Sequence, residues 1–294
     1  MSEAQRKFLK KLKLRKYFVI TCQILIVIGF FGLWEFLASK NLINTFVFSK
    51  PSEIIKTILG LIESNNLFNH IFATLNEVLI AFVLGILLGF IIAIILYEIP
   101  ILAQIIDPFL TMINSLPKVA LGPLIIIIAG ANMKSIIVMA LLINLIVSII
   151  TIYNGFLNID DKKIKLIKSF GATKLQILFK LVIPSSYKTI ISSLKLNISM
   201  SLIGVIMGEF LVSKEGIGYL IIYGTQVFNL SLVMAGILIL VIISYILYKI
   251  IIFIESKLIK KGLSWNELIS FLTVSFYWQR NTFTIIITLI AVFC

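Results

Sequence analysis

Residues Lys165 to Pro184 read KLIKSFGATKLQILFKLVIP, a basic, amphipathic stretch set between apolar segments long enough to cross a membrane. Gly171 and Ala172 divide it. Thr173 is placed to cap a helix after this turn, and Gln176, three residues on, completes a capping box. Leu175, Leu178, Phe179 and Val182 then recur at helical spacing, which predicts one apolar face, with Lys174 and Lys180 on the polar side. Before the turn, Ile164, Ile167 and Phe170 form a second apolar stripe. The pattern predicts two short helices bent at Gly171, where the missing Cβ admits left-handed geometry. Pro184 marks entry to a further helix and predicts an extended Ile183 before it. Such an element offers an apolar knob to a soluble partner; a basic amphipathic helix can equally rest on lipid headgroups.

Working outward, apolar runs predict six crossings, at about 17–38, 71–97, 101–128, 135–153, 189–211 and 231–254, each near the ~20 residues a bilayer requires. The third is interrupted by Pro117 and Pro123. Long runs without dyad alternation argue for helices rather than a barrel. The expected fold is all-α and polytopic. Three basic clusters agree with the count. One is the N-terminal arm (Arg6, Lys7, Lys10, Lys11, Lys13, Arg15, Lys16). The second is the loop carrying Lys162, Lys163, Lys165, Lys168, Lys174, Lys180 and Lys188, and the third lies after the last crossing (Lys257, Lys260, Lys261). Six crossings put all three on one side, which the positive-inside rule makes cytoplasmic, with both termini there.

Composition supports this reading. The 294 residues are 60% hydrophobic, against about half in soluble domains, and mean hydropathy is +1.11. The net charge of +13 flanks apolar segments, which excludes a nucleic-acid reading in favour of membrane orientation and contact with lipid. Cys22 and Cys294 form no disulfide framework, and the single histidine, His70, reads as a loop residue; no metal and no cofactor is expected. No Gly-rich phosphate loop ending in Lys-Ser/Thr is present, so nucleotide chemistry is expected on a partner and the chain itself is not expected to be an enzyme. The first apolar run reads as a retained signal anchor. The organisation predicted is a basic arm at 1–16, the first helix and an external loop at 17–70, a core of five helices at 71–262 with the amphipathic loop at 155–188, and an interfacial or poorly ordered tail at 263–294.

Several other residues invite a role. Glu209 lies near the outer end of the fifth crossing, where it either shapes a pathway or sits at the interface beside Lys214. Asn197 and Ser201, with Ser192, Ser193 and Ser199, make that helix polar, which suits a pathway or interhelical packing equally. Pro117 and Pro123 are candidates for a broken-helix pathway. Gly85 with Gly89, and Gly204 with Gly208, have the small-residue spacing of close helix packing. Ser52 is placed to cap a short helix from Glu53 that lies on the bilayer surface. Glu35 and Asp107 read as lying near helix ends and are assigned no proton relay.

The loop resembles that of binding-protein-dependent ABC permeases of the nitrate, sulfonate and taurine type, which carries Glu-Ala-Ala, three residues, Gly, nine residues and Ile-x-Leu-Pro. This chain matches at Gly171 and at Leu181-Val182-Ile183-Pro184, and departs at the opening triplet, where Lys165-Leu166-Ile167 stand. FSKPSEIIKTI near residue 50, DPFLTMINSLPKVALGPLIIIIAG from Asp107 and GEFLVSKEGIGYLI from Gly208 resemble further family segments, in order, across about Phe46 to Lys257. The resemblance implies the type I-like ABC-importer permease fold, a plasma-membrane homodimer, two copies of a separate ATPase on the cytoplasmic face, and an external substrate-binding protein or lipoprotein. It implies a solute of the sulfonate, taurine, nitrate or thiamine-precursor class. It places ATPase coupling on Lys165, Leu166, Ile167, Gly171, Ala172, Thr173, Leu175, Leu178, Leu181, Ile183 and Pro184. A self-contained secondary transporter is the alternative, for which inverted repeats are expected and none is legible. A membrane enzyme would need clustered His, Asp or Glu, which the chain lacks.

Overall fold

The computed structural model describes residues 3–64 and 66–261. Twelve α-helices occur among them, and no strand. They are α1 (Glu3–Ser39), α2 (Thr45–Phe48), α3 (Pro51–Glu63), α4 (Asn66–Glu98), α5 (Pro100–Ser115), α6 (Gly122–Ala129), α7 (Met133–Leu157), α8 (Asp161–Ser169), α9 (Lys174–Ile177), α10 (Ile183–Val212), α11 (Ile217–Gln226) and α12 (Leu230–Lys261). Five spans are long and apolar enough to cross a bilayer, six if the bent pair α5–α6 counts as one. The tail expected at 263–294 lies outside the described residues.

α7 is the centre of the bundle. α4 and α10 pack along its two sides, α11 and α12 close over α10, and α3 lies across α12 and α4. The main apolar core joins Val78 and Ala81 of α4, Ile136 and Ala140 of α7, Val205 of α10, Ile217 of α11 and Ile239 of α12. A second core, at the other end, joins Ala93, Ile152, Phe156, Leu178 and Val182. Lipid tails are as apolar as leucine, so close van der Waals fit and interhelical hydrogen bonds, rather than escape from water, hold these helices together. Most apolar side chains of α1 face outward, and its contacts run mainly to α3.

Several expectations are corrected. The third crossing is interrupted as expected, α5 and α6 meeting at 90° through a 3₁₀ turn, Lys118–Leu121, but not by both prolines. Pro117 makes the break, because it holds Leu116 extended (ψ 140°). Pro123 breaks nothing; it sits in the first turn of α6, where its missing amide costs no hydrogen bond. Ile183 is helical (φ −61°, ψ −47°) rather than extended. The helix runs through Pro184 by widening into one π turn, Leu178–Val182, so that Lys174–Val212 is continuous.

α3 begins at Pro51, not Glu53, and Ser52 is not its cap. The carboxylate of Glu35 on α1 takes that place by accepting from Ser52. α3 is also not a surface helix resting on lipid alone: Ile54 is fully buried, and Ile58 and Leu61 pack on the main core. His70 is no loop residue but lies in the first turns of α4.

Candidate functional site

The loop singled out in the sequence folds locally as its residues require. Asp160 caps α8 by accepting from the Lys162 amide at 2.9 Å. The chain then reverses at Gly171, whose φ of +80° is left-handed and disfavoured for residues with a Cβ. Thr173 and Gln176 form the reciprocal capping box: the Thr173 amide donates to Gln176 Oε1 at 2.9 Å, and the Gln176 amide to Thr173 Oγ1 at 3.4 Å.

Apolar side chains here divide differently from the expected single face. Leu178 and Val182 are fully buried against Phe156 and Ala93, together with Ile177 and Ile183. Ile164, Ile167, Ala172 and Leu181 pack at the margin of the same core. Leu175 and Phe179 point the other way and are 60% and 59% exposed. With Leu166 (57%) and Phe170 (78%) from α8 and its end, they form an outward apolar surface beside exposed Lys165. The reason is geometric: Leu175 and Phe179, four residues apart, share one side of the helix, while Leu178 and Val182, also four apart, share the neighbouring side that meets the second core. Of the predicted coupling residues, Leu178 and Ile183 therefore anchor the element, and Leu166 and Leu175 are presented. Phe170 and Phe179, absent from that set, are presented with them.

The candidates on α10 lie elsewhere. Asn197 and Ser201 are fully buried in a polar seam. Asn144 of α7 donates to Ser201 Oγ at 2.5 Å and to the Ala81 carbonyl of α4 at 2.8 Å; Ser148 donates to Asn197 Oδ1 at 2.8 Å. Gly85 and Gly89 on α4 lie against Asn144 and Ser148, and Gly204 and Gly208 on α10 lie against Ala140 and Ile136. Each pair is spaced by four residues, so three helices meet through matching ladders. Sequence reasoning missed Asn144 and Ser148, although two polar residues at i and i+4 in an apolar helix were a legible signal.

Glu209 is fully buried, and Lys214 is not its partner. It accepts from Thr74 Oγ1 at 2.6 Å and from the Gly218 amide at 2.5 Å. Thr74 in turn accepts from the Ile217 amide at 2.8 Å, and His70 Nδ1 from the Gly216 amide at 3.0 Å. Side chains of α4 and α10 thus take up the amides at the start of α11. A Cβ at Gly216, whose φ is +106°, would overlap the Glu209 carboxylate. In this conformation Asn197, Ser201 and Glu209 fasten helices together, whereas Pro117 and Pro123 lie on the bent α5–α6 element. Among the described residues no group of three or more His, Cys, Asp or Glu could hold a metal ion.

The family model for the binding-protein-dependent transport system inner membrane component matches residues 85–265. A Haemophilus influenzae protein described as "Probable ABC transporter permease protein" is 30% identical over 76% of this chain and 91% of its own length. The formylaminopyrimidine transport permease protein of Halalkalibacterium halodurans is 25% identical over 64% of this chain and 74% of its own. The taurine transport system permease protein of Escherichia coli is 22% identical over 73% and 80%. Among solved structures, an inward-facing MetNI methionine ABC transporter chain superposes with a TM-score of 0.56 at 18% identity, over 66% of this chain and 95% of that one, a likeness of fold.

Proposed function

The chain belongs to the family of binding-protein-dependent transport system inner membrane components, and from that premise we propose how this permease works and with whom. It is an ABC-importer permease, a multi-pass protein of the plasma membrane. A separate ATPase dimer supplies the energy from the cytoplasmic side, and an external binding protein or lipoprotein delivers a small solute. The solute belongs to the sulfonate, taurine, nitrate or thiamine-precursor class, in keeping with relatives named for aliphatic sulfonates, taurine and formylaminopyrimidine. Two copies of the chain enclose the pathway, and the bent α5–α6 element with Pro117 and Pro123 is the part of each copy free to line it.

One observation carries the reading: the α8–α9 element sets an exposed apolar surface (Leu166, Phe170, Leu175, Phe179) on an anchored base (Leu178, Val182). Closure of the ATPase pair on ATP draws two such elements together. The continuous helix Lys174–Val212 transmits that displacement to the far side of the membrane. The three basic clusters support a cytoplasmic position for this surface and for both termini. Lys165-Leu166-Ile167 in place of Glu-Ala-Ala leaves docking to the apolar surface rather than to an ion pair, a small loss because exposed pairs contribute about 0–1 kcal/mol. A self-contained secondary transporter is not favoured, since the relatives are ABC permeases.

The test is purification of the tagged chain from its native membrane in mild detergent, with mass spectrometry of the proteins that accompany it. A stoichiometric ATPase is the expected result. A chain that emerges alone, under conditions that preserve a control complex, counts against ATPase docking.

A further inference from the structure

The clasp at the start of α11 contains one group that its hydrogen bonds do not explain. Glu77 lies one turn after Thr74 on α4, facing the same way, and is 5% exposed. Its carboxyl lies within hydrogen-bonding reach of Glu209, yet its Oε2 has no partner. Neither acid has a counter-ion: the ion pairs among the described residues are Lys50–Glu53 and Lys195–Glu255. The other titratable groups around the pair are His70 on α4, Glu215 on the α10–α11 connection and Tyr219 on α11. His70 accepts a hydrogen bond at Nδ1, so that nitrogen carries no proton. No cation among the described residues therefore faces the two carboxyls.

Two ionised carboxylates in contact in a low-dielectric interior repel by many times the thermal energy, and such pairs hold a proton between them. Hydrogen bonds identify the holder. Glu209 accepts from Thr74 and from the Gly218 amide, donors that stabilise a carboxylate, while Glu77 Oε2 receives none. We propose that Glu77 is a neutral carboxylic acid whose O–H donates to the Glu209 carboxylate, and that this proton keeps the start of α11 fastened to α4. Glu77 is thus a positioning residue. Through Glu209 it fixes the short helix that closes the bundle at the end opposite the α8–α9 element. Loss of the proton leaves two facing negative charges and loosens the clasp, so the clasp weakens as pH rises.

Infrared spectroscopy of the purified full-length chain in lipid nanodiscs tests this directly. At neutral pH the wild type shows the C=O stretch of a protonated carboxyl shielded from deuterium exchange, and Glu77→Gln loses it. Absence of the band in the wild type, or its survival in Glu77→Gln, overturns the proposal. The pH profile of thermal unfolding supplies a second readout. The wild-type midpoint falls as pH is raised above neutral. Glu77→Gln, whose amide offers the same donor without a titratable proton, has a flat profile over that range. Glu77→Leu, with no donor, stays at the weakened level at every pH. Equal pH dependence in the wild type and Glu77→Gln overturns the proposal too. Both measurements read the chain by itself, so their failure is separate from any failure of the transport reading.

Discussion

The Glu35 carboxylate of α1 accepts from both the amide (3.0 Å) and the hydroxyl (2.9 Å) of Ser52, and so caps α3 from another helix. A negative charge at a helix N-terminus is favourable by dipole as well as by hydrogen bond. Glu35→Ala should lower stability by about 1 kcal/mol, in the range of lost N-caps. Glu35→Gln, which keeps an acceptor but loses the charge, should cost less. Thermal unfolding of the purified chain checks the order. Equal loss in both variants would show that the charge, not the cap, matters.

At Gly204 the backbone of α10 rests on the backbone of α7 at Ala140, leaving no room for a side chain. Gly204→Val should push the helices apart and cost about 1–3 kcal/mol. Gly60 on α3 has nothing within 4 Å of where a Cβ would stand. There Gly60→Ala should be neutral or stabilising by about 0.4–1 kcal/mol. The folded fraction in size-exclusion profiles after heating distinguishes them.

Gly171 has open space around it, so only its positive φ resists substitution. Gly171→Asn should retain most uptake, because asparagine tolerates this conformation best among residues with a Cβ. Gly171→Val should lose most of it, and Gly171→Asp should abolish it by adding charge beside the apolar surface, all with normal amounts in the membrane. Uptake by whole cells, normalised to membrane level, measures this. Normal uptake in a well-inserted Gly171→Asp variant would sink the coupling role.

Leu175 and Leu178 lie three residues apart with opposite fates. Leu175→Asp should leave a folded permease that no longer retains its ATPase. Leu178→Asp places an unpaired charge in the second core and should prevent folding, since burying such a charge costs several kcal/mol. Detergent extraction and then pull-down separate the outcomes. Retention of the ATPase by both Leu175→Asp and Phe179→Asp would remove the outward surface from the interface.

The linear chain determined those features that depend on neighbours in sequence. Apolar length set the spans, since a bilayer measures length directly. The Thr173–Gln176 capping box and the left-handed turn at Gly171 came from residues within one turn of each other. Four-residue glycine spacing announced close packing, though not its partners. Tertiary structure decided whatever required two distant segments to meet. Ser52 found its acceptor 17 residues back. Glu209 found Thr74, 135 residues away, instead of nearby Lys214. Asn197 and Ser201 were drawn into the α7 seam, away from any open surface. The split between Leu175 and Leu178 also lay beyond the local pattern, because both are apolar and only packing against Ala93, Ile152 and Phe156 decides which side of the helix is covered. A buried polar group must find a partner wherever the fold brings one, and that choice is made in three dimensions.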